Sequence, residues 1–93
     1  MSTPLTAAEI DSALASLPGW SNEGDSIAKT YEFADFPAAM AFMVRAAVGI
    51  DEMDHHPEWS NVYSRVDVRL SSHDVGGVTD RDVRLAGLLD GAA

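Results

Sequence analysis

Cysteine is absent from the 93-residue sequence. This absence excludes disulfides, thiolate metal sites and a thiol nucleophile. The sequence starts Met-Ser-Thr-Pro and lacks the charged segment followed by an apolar core that marks a secretory signal. We therefore expect a cytoplasmic protein.

Long apolar runs and clustered positive charge are also missing. The longest nearly apolar stretch, residues 36–50, contains Arg45 and is shorter than the ~20 residues that a membrane span requires. Six basic against fifteen acidic residues give a net charge of −9, and the basic residues are scattered. Such a charge opposes contact with nucleic-acid phosphates and anionic lipids, so we expect neither nucleic acid nor membrane as a partner.

The composition is that of an ordinary globular domain. Hydrophobic residues make up 46% of the chain and charged residues 23%. We expect a single domain over residues 1–93. A chain of this length buries roughly 60–65% of its unfolded surface, so its core is modest and association would add stability. We therefore expect a homo-oligomer, either a dimer or a tetramer.

The first third of the sequence predicts a helix and a hairpin. Residues 6–9 read Thr-Ala-Ala-Glu, which is typical of a capping box, and apolar residues then recur at helical spacing until a Pro-Gly pair at 18–19. Polar residues 21–26 separate Trp20 from an alternating segment that contains Ile27, Tyr31 and Phe33. This pattern indicates two strands joined by a hairpin.

The remaining pattern predicts a helix, a loop, a strand and a last helix. Asp35 can cap a helix that reaches about Asp51 or beyond, and residues 55–60 show no clean period, which favours a loop. Residues 62–70 alternate and predict one strand, with Val62 on its apolar face. Thr79 and Asp82 form a second capping box. The order predicts an α+β fold with helices packed on one face of an antiparallel sheet.

The three histidines, His55, His56 and His73, are the first candidates for chemistry. Two lie in the predicted loop and the third follows the predicted strand, so the fold could bring them together. Clustered imidazoles would suit proton transfer near neutral pH, whereas an isolated surface histidine usually has no function. The spacing leaves both possibilities open. It does not favour a metal site, because neither an i, i+4 histidine pair nor a cysteine ligand is present.

Two carboxylates and one aromatic residue are further candidates. Asp51 lies four residues before His55, so a helix continuing that far would place both on one face, although Asp51 could equally be a solvated acid at a helix end. The spacing of Asp82 after Thr79 favours a structural cap. Trp59 could stack on a flat heterocycle or anchor the core.

Three motifs, taken in order, carry a family resemblance. Residues 54–66 read Asp-His-His-Pro-Glu-Trp-Ser-Asn-Val-Tyr-Ser-Arg-Val, residues 70–74 read Leu-Ser-Ser-His-Asp, and residues 77–82 read Gly-Val-Thr-Asp-Arg-Asp. Together they closely resemble the pterin-4a-carbinolamine dehydratase family. The resemblance extends over nearly the whole chain, because the Pro-Gly-Trp near residue 20 and the Phe-rich helix before the motif also fit.

The resemblance implies a four-stranded antiparallel sheet with helices packed on it. Asp51 stands where well-known members have a glutamate, which is a longer carboxylate. The family's essential histidines correspond to His55, His56 and His73. The residues that the resemblance assigns to the substrate's surroundings are Asp51, Pro57, Trp59 and Asp82.

The resemblance also implies a reaction. The expected enzyme is a hydro-lyase that removes water from 4a-hydroxytetrahydropterin to give quinonoid dihydropterin, during recycling of the pterin cofactor. Histidine acid/base catalysis would suffice, so no metal and no organic cofactor is expected. Two alternatives remain: a protein-interaction module that acts as dimerisation cofactor of a transcription regulator, and the same fold acting on another small molecule.

Overall fold

The computed structural model describes residues 3–93. Over these residues the chain forms three helices and four strands, in the order α1 (Ala7–Leu14), β1 (Ser21–Asn22), β2 (Ile27–Glu32), α2 (Phe36–Met53), β3 (Glu58–Val62), β4 (Arg65–Leu70) and α3 (Asp80–Ala92). The strands form one antiparallel sheet in the order β1-β2-β4-β3. The predicted α+β class, with helices on one face of a four-stranded sheet, is confirmed.

The helices begin where the caps predict. Thr6 and Glu9 exchange hydrogen bonds at the start of α1, and Asp35 accepts the N–H of Ala38 at the start of α2. These bonds satisfy backbone donors that the first turn of a helix leaves unpaired. α2 ends at Met53 and is followed by Asp54 in the left-handed conformation, with φ of 50°.

The core lies between the helices and one face of the sheet. Val66, Val68 and Leu70 alternate along β4 and are buried, and the ring of Phe42 from α2 lies near them. The centroid of the Phe42 ring is 6.3 Å from that of Trp59. Trp59 therefore packs against the core, as one of the two readings of this residue expects. Burying each large apolar side chain contributes roughly 1.5–3 kcal/mol.

The predicted continuous strand over residues 62–70 is wrong. β3 ends at Val62 and β4 begins at Arg65, with a two-residue turn in which Tyr63 has φ of 52°. Val62 pairs with Arg65 and therefore lies on the outer face, where it is 59% exposed. The alternation of apolar residues runs through the turn, so periodicity did not reveal the reversal. The predicted loop over residues 55–60 is likewise wrong for its last part, which belongs to β3.

The strand register brings two connections, α2–β3 and β4–α3, to one end of the sheet. Glu58, the first residue of β3, pairs with Arg69 near the end of β4. The segment that follows α2 therefore lies close to the loop between β4 and α3. That loop is closed by a bridge between Ser72 and Gly77. Among the helices of residues 3–93, none combines the length and apolar character needed to cross a bilayer.

Candidate active site

A buried histidine and aspartate occupy this end of the sheet. His55 Nε2 lies 2.5 Å from Asp82 Oδ1, the His55 side chain is 10% exposed and Asp82 is fully buried. His55 comes from the segment after α2, whereas Asp82 lies in the first turn of α3. A buried carboxylate that contacts an imidazole can fix the orientation of the ring and stabilise its protonated form.

Asp82 also caps α3. Its Oδ2 accepts the N–H of Thr79 at 2.9 Å and the hydroxyl of Ser72 at 2.9 Å. The capping function that the spacing predicts is present, and the contact with His55 is present beside it. One carboxylate therefore joins the start of a helix, the loop after β4 and a histidine.

His73 lies on the solvent side of the same loop. Its Nε2 is 3.0 Å from Oε1 of Glu58, and the two side chains are 75% and 62% exposed. Solvent screens such a pair, so its contribution to stability is small. Because His73 directly follows Ser72 in the chain, the loop that contacts Asp82 also carries this second histidine.

An ion pair links the His73 loop to α3. Asp74 Oδ1 accepts a hydrogen bond from Arg81 Nη2 at 2.8 Å. This hydrogen bond lowers the pKa of Asp74 below its ordinary value, and the charge of Arg81 lowers it further. The pair therefore connects the loop that bears His73 to the first turn of α3.

The third histidine borders a groove. His56 borders an open groove of about 630 Å³ together with Asp51, Pro57 and Trp59, and α2 supplies the rest of its wall. Adjacent histidines in an extended segment point in opposite directions, and here His55 contacts Asp82 whereas His56 lines the groove.

Asp51 does not share a helical face with His55. α2 ends at Met53 and Asp54 takes the left-handed conformation, so His55 lies outside the helix. The expectation that required a longer helix is wrong, because the chain turns at Asp54. Asp51 instead borders the groove that contains His56.

Two contacts of this site are not predicted by the sequence. Ser72 and Thr79 are buried and bonded to each other at 2.8 Å between their hydroxyl oxygens, and Glu58 contacts His73. Thr79 was predicted as a cap only. Glu58 stands next to Pro57 in the motif, but its partner lies across the sheet end and no local spacing reveals it.

The arrangement can transfer protons at two imidazoles. His55 has a buried carboxylate partner and His73 an exposed one, and imidazole is the side chain that most readily exchanges protons near neutral pH. Within residues 3–93, no three carboxylate or imidazole side chains are placed to hold one metal ion.

Comparison with known proteins identifies the family. Residues 3–92 match the model of the pterin 4 alpha carbinolamine dehydratase family. A relative from Opitutus terrae is 55% identical over 92% of this chain and 90% of its own, and one from Rhizobium rhizogenes is 50% identical over 96% and 90%. Both bear the provisional name pterin-4-alpha-carbinolamine dehydratase.

A solved structure agrees with this result. The crystal structure of a protein from Brucella melitensis, described as transcriptional coactivator/pterin dehydratase, is 41% identical and superposes with a TM-score of 0.93. The match covers 98% of this chain and 99% of that one. The chain belongs to the pterin 4 alpha carbinolamine dehydratase family.

Proposed function

We propose that the protein removes water from 4a-hydroxytetrahydropterin and thereby returns a pterin cofactor to its redox cycle. The contact of His55 with the buried Asp82, beside the loop that bears His73, carries this proposal within the family. In the reaction the C4a–O bond breaks, and the hydroxyl leaves as water with a proton from an acid. A base takes a proton from a ring nitrogen, so the ring gains a double bond without redox change.

The histidines supply the acid and the base. We assign these two roles to His55 and His73, while His56 binds and polarises the pterin. Asp51, Pro57 and Trp59 border the groove around His56 and would contact the substrate there, and Asp82 orients His55. The elimination needs no electron acceptor, and the proposed mechanism uses neither a metal nor an organic cofactor.

The test is the rate at which 4a-hydroxytetrahydropterin, generated in place by a hydroxylase, disappears in the presence of the protein. Replacing either His55 or His73 by Ala should lower that rate by about 10²–10⁴-fold, the usual effect of losing a general acid or base. Ser64→Ala, in the turn at the opposite end of the sheet, is the control. Full rates in both histidine variants would refute the assignment, and added chelator should change nothing.

A second candidate function is binding to a transcription regulator, because the solved relative is described by both activities. An intact protein that fails to turn over the pterin but binds a specific regulator would favour this alternative. An intact protein with neither property would favour another small molecule as the substrate.

We also propose that the protein works in the cytoplasm as a homo-oligomer. Val44 and Val48 on the outer side of α2 are 69% and 64% exposed, which is unusual for neighbouring branched apolar residues on one helix. Sedimentation equilibrium would give a dimer or tetramer mass if copies associate. A monomer mass at micromolar concentration would contradict the proposal.

A further inference from the structure

The polar side chains at the start of α3 form one connected hydrogen-bond network. Ser72, Thr79 and Asp82 are buried, and His55 is nearly so. Asp82 Oδ2 receives the backbone N–H of Thr79 and the hydroxyl of Ser72, which leaves Oδ1 for the imidazole. Buried polar groups of this kind have defined partners, so the direction of each bond can be worked out.

The hydroxyl hydrogens of Ser72 and Thr79 can point in only one direction along the network. Ser72 gives its single hydrogen to Asp82, so its oxygen can only accept from Thr79. Thr79 Oγ1 also accepts the backbone N–H of Arg81 at 3.2 Å, and its own hydrogen is free for Ser72. The hydrogens therefore point from Thr79 to Ser72 and from Ser72 to Asp82.

The partners of Asp82 also fix the tautomer of His55. Asp82 accepts two hydrogen bonds at Oδ2 and lies in the first turn of α3, where the helix dipole favours negative charge. These partners favour the ionised carboxylate, which can only accept. His55 Nε2 must therefore be the donor, and Nδ1 is the nitrogen that remains without a hydrogen in the neutral ring.

We infer that Ser72 and Thr79 are positioning residues, which hold Asp82 so that His55 keeps its hydrogen on Nε2 and offers Nδ1 to the substrate. This inference rests on the proposed dehydratase function for its catalytic consequence. Nδ1 would accept the proton when His55 acts as base and would deliver it when His55 acts as acid. Neither Ser72 nor Thr79 needs to touch the substrate.

The tautomer can be measured without any turnover. Long-range 1H–15N correlation spectra of the full chain distinguish a protonated from an unprotonated ring nitrogen for each histidine. The expected result for neutral His55 is hydrogen on Nε2 and none on Nδ1. Hydrogen on Nδ1 in the unmodified protein would overturn the inference. Ser72→Ala should produce a mixture of both tautomers.

Steady-state kinetics distinguish a positioning role of Ser72 and Thr79 from a general loss of structure. Ser72→Ala should lower kcat about tenfold with KM nearly unchanged, the size expected for losing one supporting hydrogen bond. Thr79→Ser keeps the hydroxyl and should retain activity, whereas the similarly shaped Thr79→Val should behave like Ser72→Ala. Ser64→Ala is again the control, and circular dichroism restricts the comparison to folded protein.

The two proposals fail differently. If the unmodified protein does not dehydrate the pterin, the dehydratase function is wrong, while the spectra still test the network. If it does dehydrate the pterin and Ser72→Ala retains both kcat and the Nε2–H tautomer, the positioning inference alone is wrong. If Ser72→Ala fails to fold, the Thr79→Ser and Thr79→Val pair makes the same distinction.

Discussion

Helix α3 is held at both ends by an aspartate, and the two aspartates have different kinds of partner. In the first turn, Asp82 bonds to Ser72 and His55. Near the last turn, Asp90 Oδ1 accepts from Trp20 Nε1 at 3.1 Å, from Lys29 Nζ at 2.9 Å and from the hydroxyl of Tyr31. Both clusters connect α3 to elements distant in the sequence.

The difference lies in whether a partner can exchange its proton near neutral pH. Burial, and then the hydrogen bond and charge of Asp90, raise the pKa of Tyr31 far above its ordinary value, so the phenol keeps its hydrogen. Burial alone would raise the pKa of Asp90, but hydrogen bonds from Tyr31, Lys29 and Trp20 lower it. This cluster is a fixed anchor. The cluster at Asp82 contains an imidazole, the type of side chain best suited to proton exchange near neutral pH.

The largest expected effect is on kcat, and it should appear at only one end of α3 when the negative charge at each end is removed in turn. Asp82→Asn should lower kcat by about 10²–10⁴-fold, because an amide can stabilise the other tautomer of His55 and no longer supports its protonated form. Asp90→Asn should retain activity per folded molecule. Steady-state kinetics on protein checked by circular dichroism measure both. Equal losses in the two variants would remove the distinction between the clusters.

The second largest expected effect is on the free energy of unfolding, and it should come mainly from changes in the cluster around Asp90. Asp90→Ala leaves the buried donors of Trp20 and Tyr31 without their acceptor, so the free energy of unfolding should fall by about 2 kcal/mol. Tyr31→Phe removes one donor and should cost about 1 kcal/mol. Urea denaturation followed by tryptophan fluorescence gives both values. An unchanged midpoint in Asp90→Ala would show that the cluster does not anchor α3.

The anchor should also give stability a dependence on pH at both extremes. The lowered pKa of Asp90 means that its contribution is present above the unfolded carboxyl value of about 4 and is lost as pH falls through the folded value. The raised pKa of Tyr31 has the opposite sign, so its contribution is lost as pH rises above the unfolded value of about 10. The midpoint of urea unfolding, measured across a range of pH, should decline at both the acid and the alkaline end. The acid decline should weaken in Asp90→Asn and the alkaline decline in Tyr31→Phe; unchanged slopes would contradict the assignment.

The two clusters also show what the sequence could predict. The cap formed by Thr79 and Asp82 was readable because capping depends on a local spacing of three residues. The contact of Asp82 with His55 spans 27 positions and was not predicted, because the family resemblance only assigned Asp82 to the substrate's surroundings. The anchor at Asp90 was not predicted at all, because its donors lie 59 to 70 residues away and share no pattern with it.

The sheet gives a similar lesson. The helix starts and the β1–β2 hairpin were correct because caps and polar turns are local signals. The second hairpin was missed since its turn, Tyr63-Ser64, has neither glycine nor asparagine, the residues that usually mark a two-residue turn. That hairpin places Glu58 beside Arg69 and so builds the end of the sheet where the site lies.

The smallest expected effect comes from the carboxylate partner of His73, which differs in burial from the carboxylate partner of His55. Glu58 contacts His73 as Asp82 contacts His55, but the first pair is mostly exposed and the second is buried. Water can replace an exposed partner at little cost, so Glu58→Gln should change kcat by less than about fivefold, as expected for a pair worth 0–1 kcal/mol. High salt should reduce even that difference. A loss as large as that of Asp82→Asn, measured in the same assay, would mean that substrate binding buries Glu58 with His73 and makes the two pairs equivalent.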